Sequence, residues 1–193
     1  GVSDLAIWRK FATEVIGLQV RDDTETGRLY LRSDAWHHRI ILEEDGSDDL
    51  LAAGLRVAGP EEFRAMQDVL RKNQVPFEVA DKETAQSRRV LDVMFLKDPA
   101  GTPLEIFHGP QVDTHMPFHP GRGMFGKFVT GDGGLGHVML VSPDLNATYE
   151  FYKLLGMRGS IEYKVPRPEG HTVELLFMHC NSRDHTLAFG MPA

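Results

Sequence analysis

The apolar positions of the chain switch between two periods, and the switch recurs. In "DLAIWRKFATEVIGLQV", from Asp4, residues Leu5, Trp8, Phe11, Ala12 and Val15 return at helical spacing. In "DLNATYEFYKLLGMRGS", from Asp144, Leu145, Tyr149, Tyr152 and Leu155 do nearly the same. Both stretches open on Asp-Leu and leave through a glycine, so the pattern predicts two amphipathic helices. Asp4 or Ser3, and Asp144, are the expected N-caps, and Gly17 and Gly156 the expected left-handed exits. Period-two runs follow each helix. "RLYLRSD" and "HHRIILEED" follow the first; "SIEYKV", "VELLFMHC" and "HTLAFGM" follow the second.

A third copy lies between these two. It reads as strand "LAAGLRVAG", helix "PEEFRAMQDVLRKNQ" with Pro60 at its start, and strands "VPFEVAD", "VLDVMFLKD" and "PLEIFHG". The turn "DPAGTP" joins the last two. The repeating unit is therefore βαβββ, roughly 50–60 residues long, and it occurs three times. The opening "GVSDLAIW" reads as a first copy without its opening strand. Such units pair to close a curved sheet around a cup. The expected fold is α+β, with residues 1–110 a complete pair, 111–133 a Gly- and Pro-rich ordered connection, and 134–193 one half of a second pair.

Composition narrows the function. A net charge of −7 and a pI near 5.7 argue against nucleic acid or an anionic membrane as a partner. No apolar stretch is long enough to span a bilayer, and the chain opens on no leader pattern. The single cysteine, Cys180, suits a reducing cytosol and ends an apolar run, which reads as a buried structural thiol. No zinc-type cysteine pair, serine elbow or phosphate-cradling glycine loop is present.

The histidines carry the remaining chemistry. In "GLGHVMLV", His137 heads an apolar strand and shares a face with Met139 and Val141 by alternation. A histidine there is either a satisfied core residue or a metal ligand. Two histidines and one carboxylate are the usual set for non-haem Fe(II) and leave positions open for oxygen and substrate. His185, in "NSRDHTLAFG", opens the last strand of the third unit and would point into the same cup, where it could act as acid or base. The equivalent place in unit two is Leu55 or Arg56, and Arg56 cannot ligate. Glu105 there reads as a solvated or paired carboxylate. His37, His38, His108, His115, His119, His171 and His179 read as structural or surface residues, with His108, His115 and His119 in or near the connection.

"FHPGRGMFGKFVTGDGGLGHVML" and "LLFMHCNSRDHTLAFGMPA" closely resemble the type I extradiol dioxygenases of the vicinal-oxygen-chelate superfamily. "YLRSDAWHHRIIL" and "DPAGTPLEIFHGP" resemble their first domain, so the likeness covers essentially the whole chain. Within the family it is nearest to the 2,3-dihydroxybiphenyl 1,2-dioxygenases and 1,2-dihydroxynaphthalene dioxygenases. The resemblance implies that His137 is the first iron ligand, His185 the active-site acid/base, and Phe177 an aromatic wall of the substrate pocket. It implies Fe(II), with Mn(II) as the alternative metal, and O2 as co-substrate. It further implies ring cleavage of a small aromatic diol in aromatic-compound degradation, a cytoplasmic location, and a homo-oligomer. The family's second histidine and its glutamate ligand come from a fourth unit, and this sequence stops at Ala193 before one. The sequence thus reads as truncated at both ends and inactive as it stands. A non-catalytic small-molecule binder with the same cup is the rival if the chain truly ends there. A glyoxalase-like isomerase is weaker, because it expects a metal carboxylate where unit three has "HTLAFG".

Overall fold

The computed structural model describes residues 1–21, 27–124, 126–168, 170 and 172–191; His171 lies outside the described residues. Unit one consists of helix α1 (Leu5–Lys10), which continues as a π-helical turn over Phe11–Ile16, and strands β1 (Gln19–Val20), β2 (Arg28–Arg32) and β3 (Ile40–Glu43). Unit two runs β4 (Ala53–Arg56), α2 (Pro60–Lys72), β5 (Phe77–Val79), a short α3 (Lys82–Ser87), β6 (Asp92–Lys97) and β7 (Pro103–His108). Unit three runs β8 (Val138–Val141), α4 (Leu145–Leu154), β9 (Arg158–Pro166), β10 (Thr172–His179) and β11 (Leu187–Gly190).

The sheets confirm the repeat. Their orders are β1-β2-β3, β4-β7-β6-β5 and β8-β11-β10-β9. In units two and three the first strand pairs parallel with the last, β4 with β7 and β8 with β11. In unit one Val2 makes an isolated parallel bridge to Glu44, just after β3, in the place that β4 and β8 occupy in their own units. The Val2 amide donates to the Glu43 carbonyl at 2.8 Å.

Local chemistry accounts for the element ends. The Asp4 carboxylate accepts from the amides of Ala6 and Ile7, and the Asp144 carboxylate from that of Ala147. Gly17 and Gly156 leave their helices at φ 93° and 88°, a region that a Cβ makes costly. Pro60 sits in the first turn of α2, where its missing N–H removes no intrahelical bond.

The first helix departs from expectation. Its apolar stripe does not pack as a stripe: Ala12 is buried, but Trp8, Phe11 and Val15 are exposed. The π-helical turn from Phe11, whose wider winding rotates later positions away from the 3.6-residue phase, accounts for Val15; Trp8 precedes it, in the regular helix. Helices α2 and α4 keep that phase. Phe63 and Leu70 of α2, and Phe151 and Tyr152 of α4, join Met94, Ile106, Leu176, Met178 and Phe189 in one buried cluster spanning units two and three. Each fully buried large side chain there contributes about 1.5–3 kcal/mol. A smaller cluster under unit one holds Val2, Ala12, Leu18, Leu29, Leu31 and Leu42.

A buried polar bond ties the two larger units together. The Tyr152 hydroxyl donates to Asp98 Oδ2 at 3.1 Å, and Asp98 Oδ1 accepts from the Thr102 amide. Burial and the Asp98 carboxylate push the tyrosine hydroxyl far above its ordinary value, so it stays a donor at any working pH. Tyr152→Phe leaves a buried carboxylate oxygen short of its donor. It is expected to cost about 1–3 kcal/mol in urea denaturation, and an unchanged midpoint would show that water replaces the hydroxyl.

An ion-pair chain runs through the cup of the first two units, beside a cavity of about 640 Å³ that Glu78, Arg88, Phe95 and Glu105 help to line. By alternation Arg28, Tyr30 and Arg32 of β2 face away from Leu29 and Leu31. Glu43 pairs with Arg28 at 2.6 Å and with Arg88 at 3.4 Å, and Arg88 continues to Glu105 at 3.1 Å. Glu105 is thus a paired carboxylate, as expected, although burial still pushes its pKa up. His108 ends β7 just before the connection, buried, with Nε2 2.9 Å from Asp92. One further reading needs correction. Cys180 is exposed, because it follows the last residue of β10 and escapes the strand's alternation.

His38 sits beside His37, with their Nδ1 atoms 3.0 Å apart. Burial first, then the electrostatic influence of His37, Arg88, Arg89 and Arg21, holds the His38 imidazole down to about 3. It is neutral in the folded protein and takes a proton near its ordinary value of 6.5 once unfolded. Its stabilisation is therefore complete above that value and is lost as pH falls toward the folded value. Between about pH 7.5 and 5 the wild type is expected to lose about 1–2 kcal/mol more stability than His38→Gln. Parallel denaturation curves for the two proteins at both pH values would show that His38 is not the group responsible.

Candidate functional site

The third unit presents the candidate site on the face of its sheet opposite α4. Leu140 of β8, and Leu176 and Met178 of β10, point into the core; Met139, Val141 and Phe177 alternate to the other face. His137 precedes β8 by one residue and lies on the same side as Met139. It is exposed, which removes the reading of a satisfied core histidine. His185 stands two residues before β11 and is half-buried. Its backbone is fixed on the C-terminal side, where the Thr186 amide donates to the Met178 carbonyl at 2.8 Å.

Four rings form a row across this face. The His137 and His185 ring centroids are 4.6 Å apart, Phe177 lies 4.9 Å from His185, and Tyr163 lies 5.6 Å from Phe177. The last two contacts are edge-on. The three residues expected from sequence are thus brought together, and Tyr163 is an addition. Its signal was present in "SIEYKV", where alternation puts Ile161, Tyr163 and Val165 on one face.

A cavity of about 640 Å³ opens beside the row, with Phe177, His185, Tyr163, Ile161, His179 and Arg158 among its lining residues. His137 is adjacent to the lining through His185. A β-bulge re-aims the wall here: register slips between Phe177, opposite Ile161, and Met178, opposite Gly159. The extra residue, Ser160, donates its hydroxyl to the Phe177 carbonyl at 3.2 Å. Gly159 leaves room for Tyr149, whose ring would meet an added Cβ at 3.1 Å.

No group of three His, Cys, Asp or Glu side chains converges among the described residues. One imidazole does not hold a divalent metal tightly, so the complete ligand set of a non-haem iron is not present in them. What they offer is one exposed imidazole donor, His137, with a second imidazole and two aromatic rings beside it. No helix among the described residues is long and apolar enough to cross a membrane.

Tandem βαβββ units, first strand parallel to last, with an aromatic-lined cup on the sheet face opposite the helices, define the vicinal-oxygen-chelate fold. The chain aligns with a crystal structure of a catechol 2,3-dioxygenase at 53% identity and a TM-score of 0.94, over 97% of this chain and 66% of that one. A halotolerant catechol dioxygenase, BphC, aligns at 31% identity and a TM-score of 0.86, over 99% of this chain and 62% of that one. The likeness to extradiol dioxygenases thus runs over essentially the whole of this chain. The family model "Dihydroxybiphenyl dioxygenase BphC D1" matches residues 1–44. A 1,2-dihydroxynaphthalene dioxygenase of Pseudomonas sp. (strain C18) is 52% identical over 193 residues, all of this chain and 64% of its own length. A biphenyl-2,3-diol 1,2-dioxygenase of Sphingomonas paucimobilis is also 52% identical, over 98% of this chain and 64% of its own length. The chain thus spans 64% of the length of these relatives.

Proposed function

We propose that the protein cleaves the ring of a bicyclic or biaryl catechol, such as 2,3-dihydroxybiphenyl, in the extradiol position during aromatic-compound degradation. The observation that carries this reading is the placement of His137, His185 and Phe177 in one row beside an open cavity. Residues 1–110 are the non-catalytic domain, 111–133 the connection and 134–193 half of the catalytic domain. The charge chain through Glu43, Arg88 and Glu105 supports an inert first cup, since it ties both of those carboxylates to a guanidinium.

His137 would hold the metal, together with ligands that are not among the described residues. Bound Fe(II), or Mn(II), would supply the redox chemistry with O2. This chain's own residues do the rest. Phe177 and Tyr163 pack against the flat faces and edges of the diol's rings and keep water off them. His185, held between His137 and Phe177, accepts a proton from a diol hydroxyl at a ring nitrogen and returns it later in the turnover. A cytoplasmic location fits the single thiol, and a homo-oligomer is what the resemblance implies.

The test is oxygen uptake by the protein loaded anaerobically with Fe(II), given 2,3-dihydroxybiphenyl and 1,2-dihydroxynaphthalene in turn. Uptake with a yellow ring-opened product is expected. The two relatives of equal identity bear different diol names, so the ratio of kcat/KM decides the preferred ring system. Diol binding without iron retention or oxygen uptake would support the non-catalytic binder instead.

A further inference from the structure

The segment that delivers His137 is poor in bonds of its own. It contains Gly131, Gly133, Gly134 and Gly136, three of them at positive φ, and such a stretch has many conformations to lose. Its internal backbone bonds are two short turns, from the Gly133 amide to Thr130 and from the Gly134 amide to Gly131. Yet His137 stands at a defined distance from His185. Something must hold the segment.

We propose that Arg183 is the positioning residue that clips the His137 segment onto the turn carrying His185. Its Nε donates to the Gly133 carbonyl at 2.6 Å and its Nη2 to the Val129 carbonyl at 3.1 Å. The planar guanidinium holds two donors in fixed relation, so it grips two carbonyls at once. Asn181 adds a third grip: its Nδ2 donates to the Asp132 carbonyl at 3.2 Å. The turn itself is stiffened in return. Asn181 Oδ1 accepts from the Arg183 amide at 3.0 Å, and His179 Nδ1, which faces the Asn181 and Arg183 carbonyls at 3.0 and 3.1 Å, must carry the proton and donate to them. A Cβ on Gly133 would lie 2.7 Å from Arg183 Nε, so glycine is what lets the guanidinium close. The clip joins the two loops that lead to the two histidines, and the 4.6 Å separation of their rings follows from it.

The catalytic part of this inference rests on the proposed function, and the experiment separates the two. Arg183→Met and Arg183→Lys are compared with wild type in the whole protein. In the metal-free protein, hydrogen exchange at the amides of residues 134–138 is expected to rise about tenfold or more in Arg183→Met, as two charge-assisted bonds are lost, while β10 and β11 stay protected. Fe(II) affinity and kcat are expected to fall about 10–100-fold with KM for the diol little changed. Lysine restores part of both, and guanidinium ion in the buffer restores part of the activity of Arg183→Ala. Unchanged exchange in Arg183→Met overturns the clip, as does an affinity and kcat equal to wild type. A wild type that cleaves no diol while its exchange responds to Arg183→Met overturns the proposed function and leaves the clip standing.

Discussion

His137→Ala is expected to abolish iron retention and with it all measurable oxygen uptake, while leaving the melting temperature within a few degrees of wild type. The two halves of this expectation come from different observations. His137 is exposed and lies outside both buried clusters, so its removal opens no cavity and leaves no buried partner unpaired. Its removal, however, leaves only the His185 imidazole beside it, since Leu135, Val138 and Met139 offer no metal-binding donor, and one imidazole does not hold the metal. Metal analysis after desalting and oxygen uptake with 2,3-dihydroxybiphenyl read the two halves separately. Full iron occupancy in His137→Ala would remove this residue from the ligand set. A large fall in melting temperature would return it to the structural reading.

His185→Ala is expected to lower kcat by about 10²–10⁴-fold, with iron content and KM close to wild type. The geometry gives the reason. The ring is half-buried between His137 and Phe177, at the edge of the cavity rather than in the core, so it can reach a bound hydroxyl and still exchange a proton with water. Its backbone is tied on both sides, by the Thr186 amide to Met178 and by the Arg183 amide to Asn181, so truncating the side chain should not let the strand drift. His185→Gln, which keeps a polar end but cannot shuttle protons, is expected to resemble the alanine variant in kcat. Wild-type turnover in either variant ends the acid/base role. Loss of iron together with activity would show that two imidazoles 4.6 Å apart are both ligands, which also ends it.

Much of the site was legible because its residues sit on locally periodic elements. His137, Met139 and Val141 alternate to one side, and "LLFMHC" puts Phe177 and Met178 on opposite faces whatever the rest of the chain does. The caps at Asp4 and Asp144 and the exits at Gly17 and Gly156 are equally local. The misreadings share one origin, which is that burial is not local. The stripe of Trp8, Phe11 and Val15 looked like a core face, yet all three are exposed, and from Phe11 the π-helical turn breaks the phase as well. Cys180 looked buried because it closes an apolar run, and only the end of β10 at His179 exposes it. Arg183 had no signal at all: an arginine in a loop looks like any solvated charge until its carbonyl partners, 50 and 54 positions away, are known.

The sequence alone determined the three βαβββ units, their order, and which side chains share a face, because strand alternation and helix phase depend only on neighbouring residues. It also carried the resemblance that singled out His137, His185 and Phe177. The tertiary structure decided what meets what. It ran one core through units two and three, laid an ion-pair chain across the first cup, and opened a cavity beside the four rings of the third unit. It also set the spacing of the four rings, since that depends on strand register, on a bulge at Phe177 and on an arginine gripping distant carbonyls. Those contacts join residues far apart in the chain, and no local period encodes the distance between them.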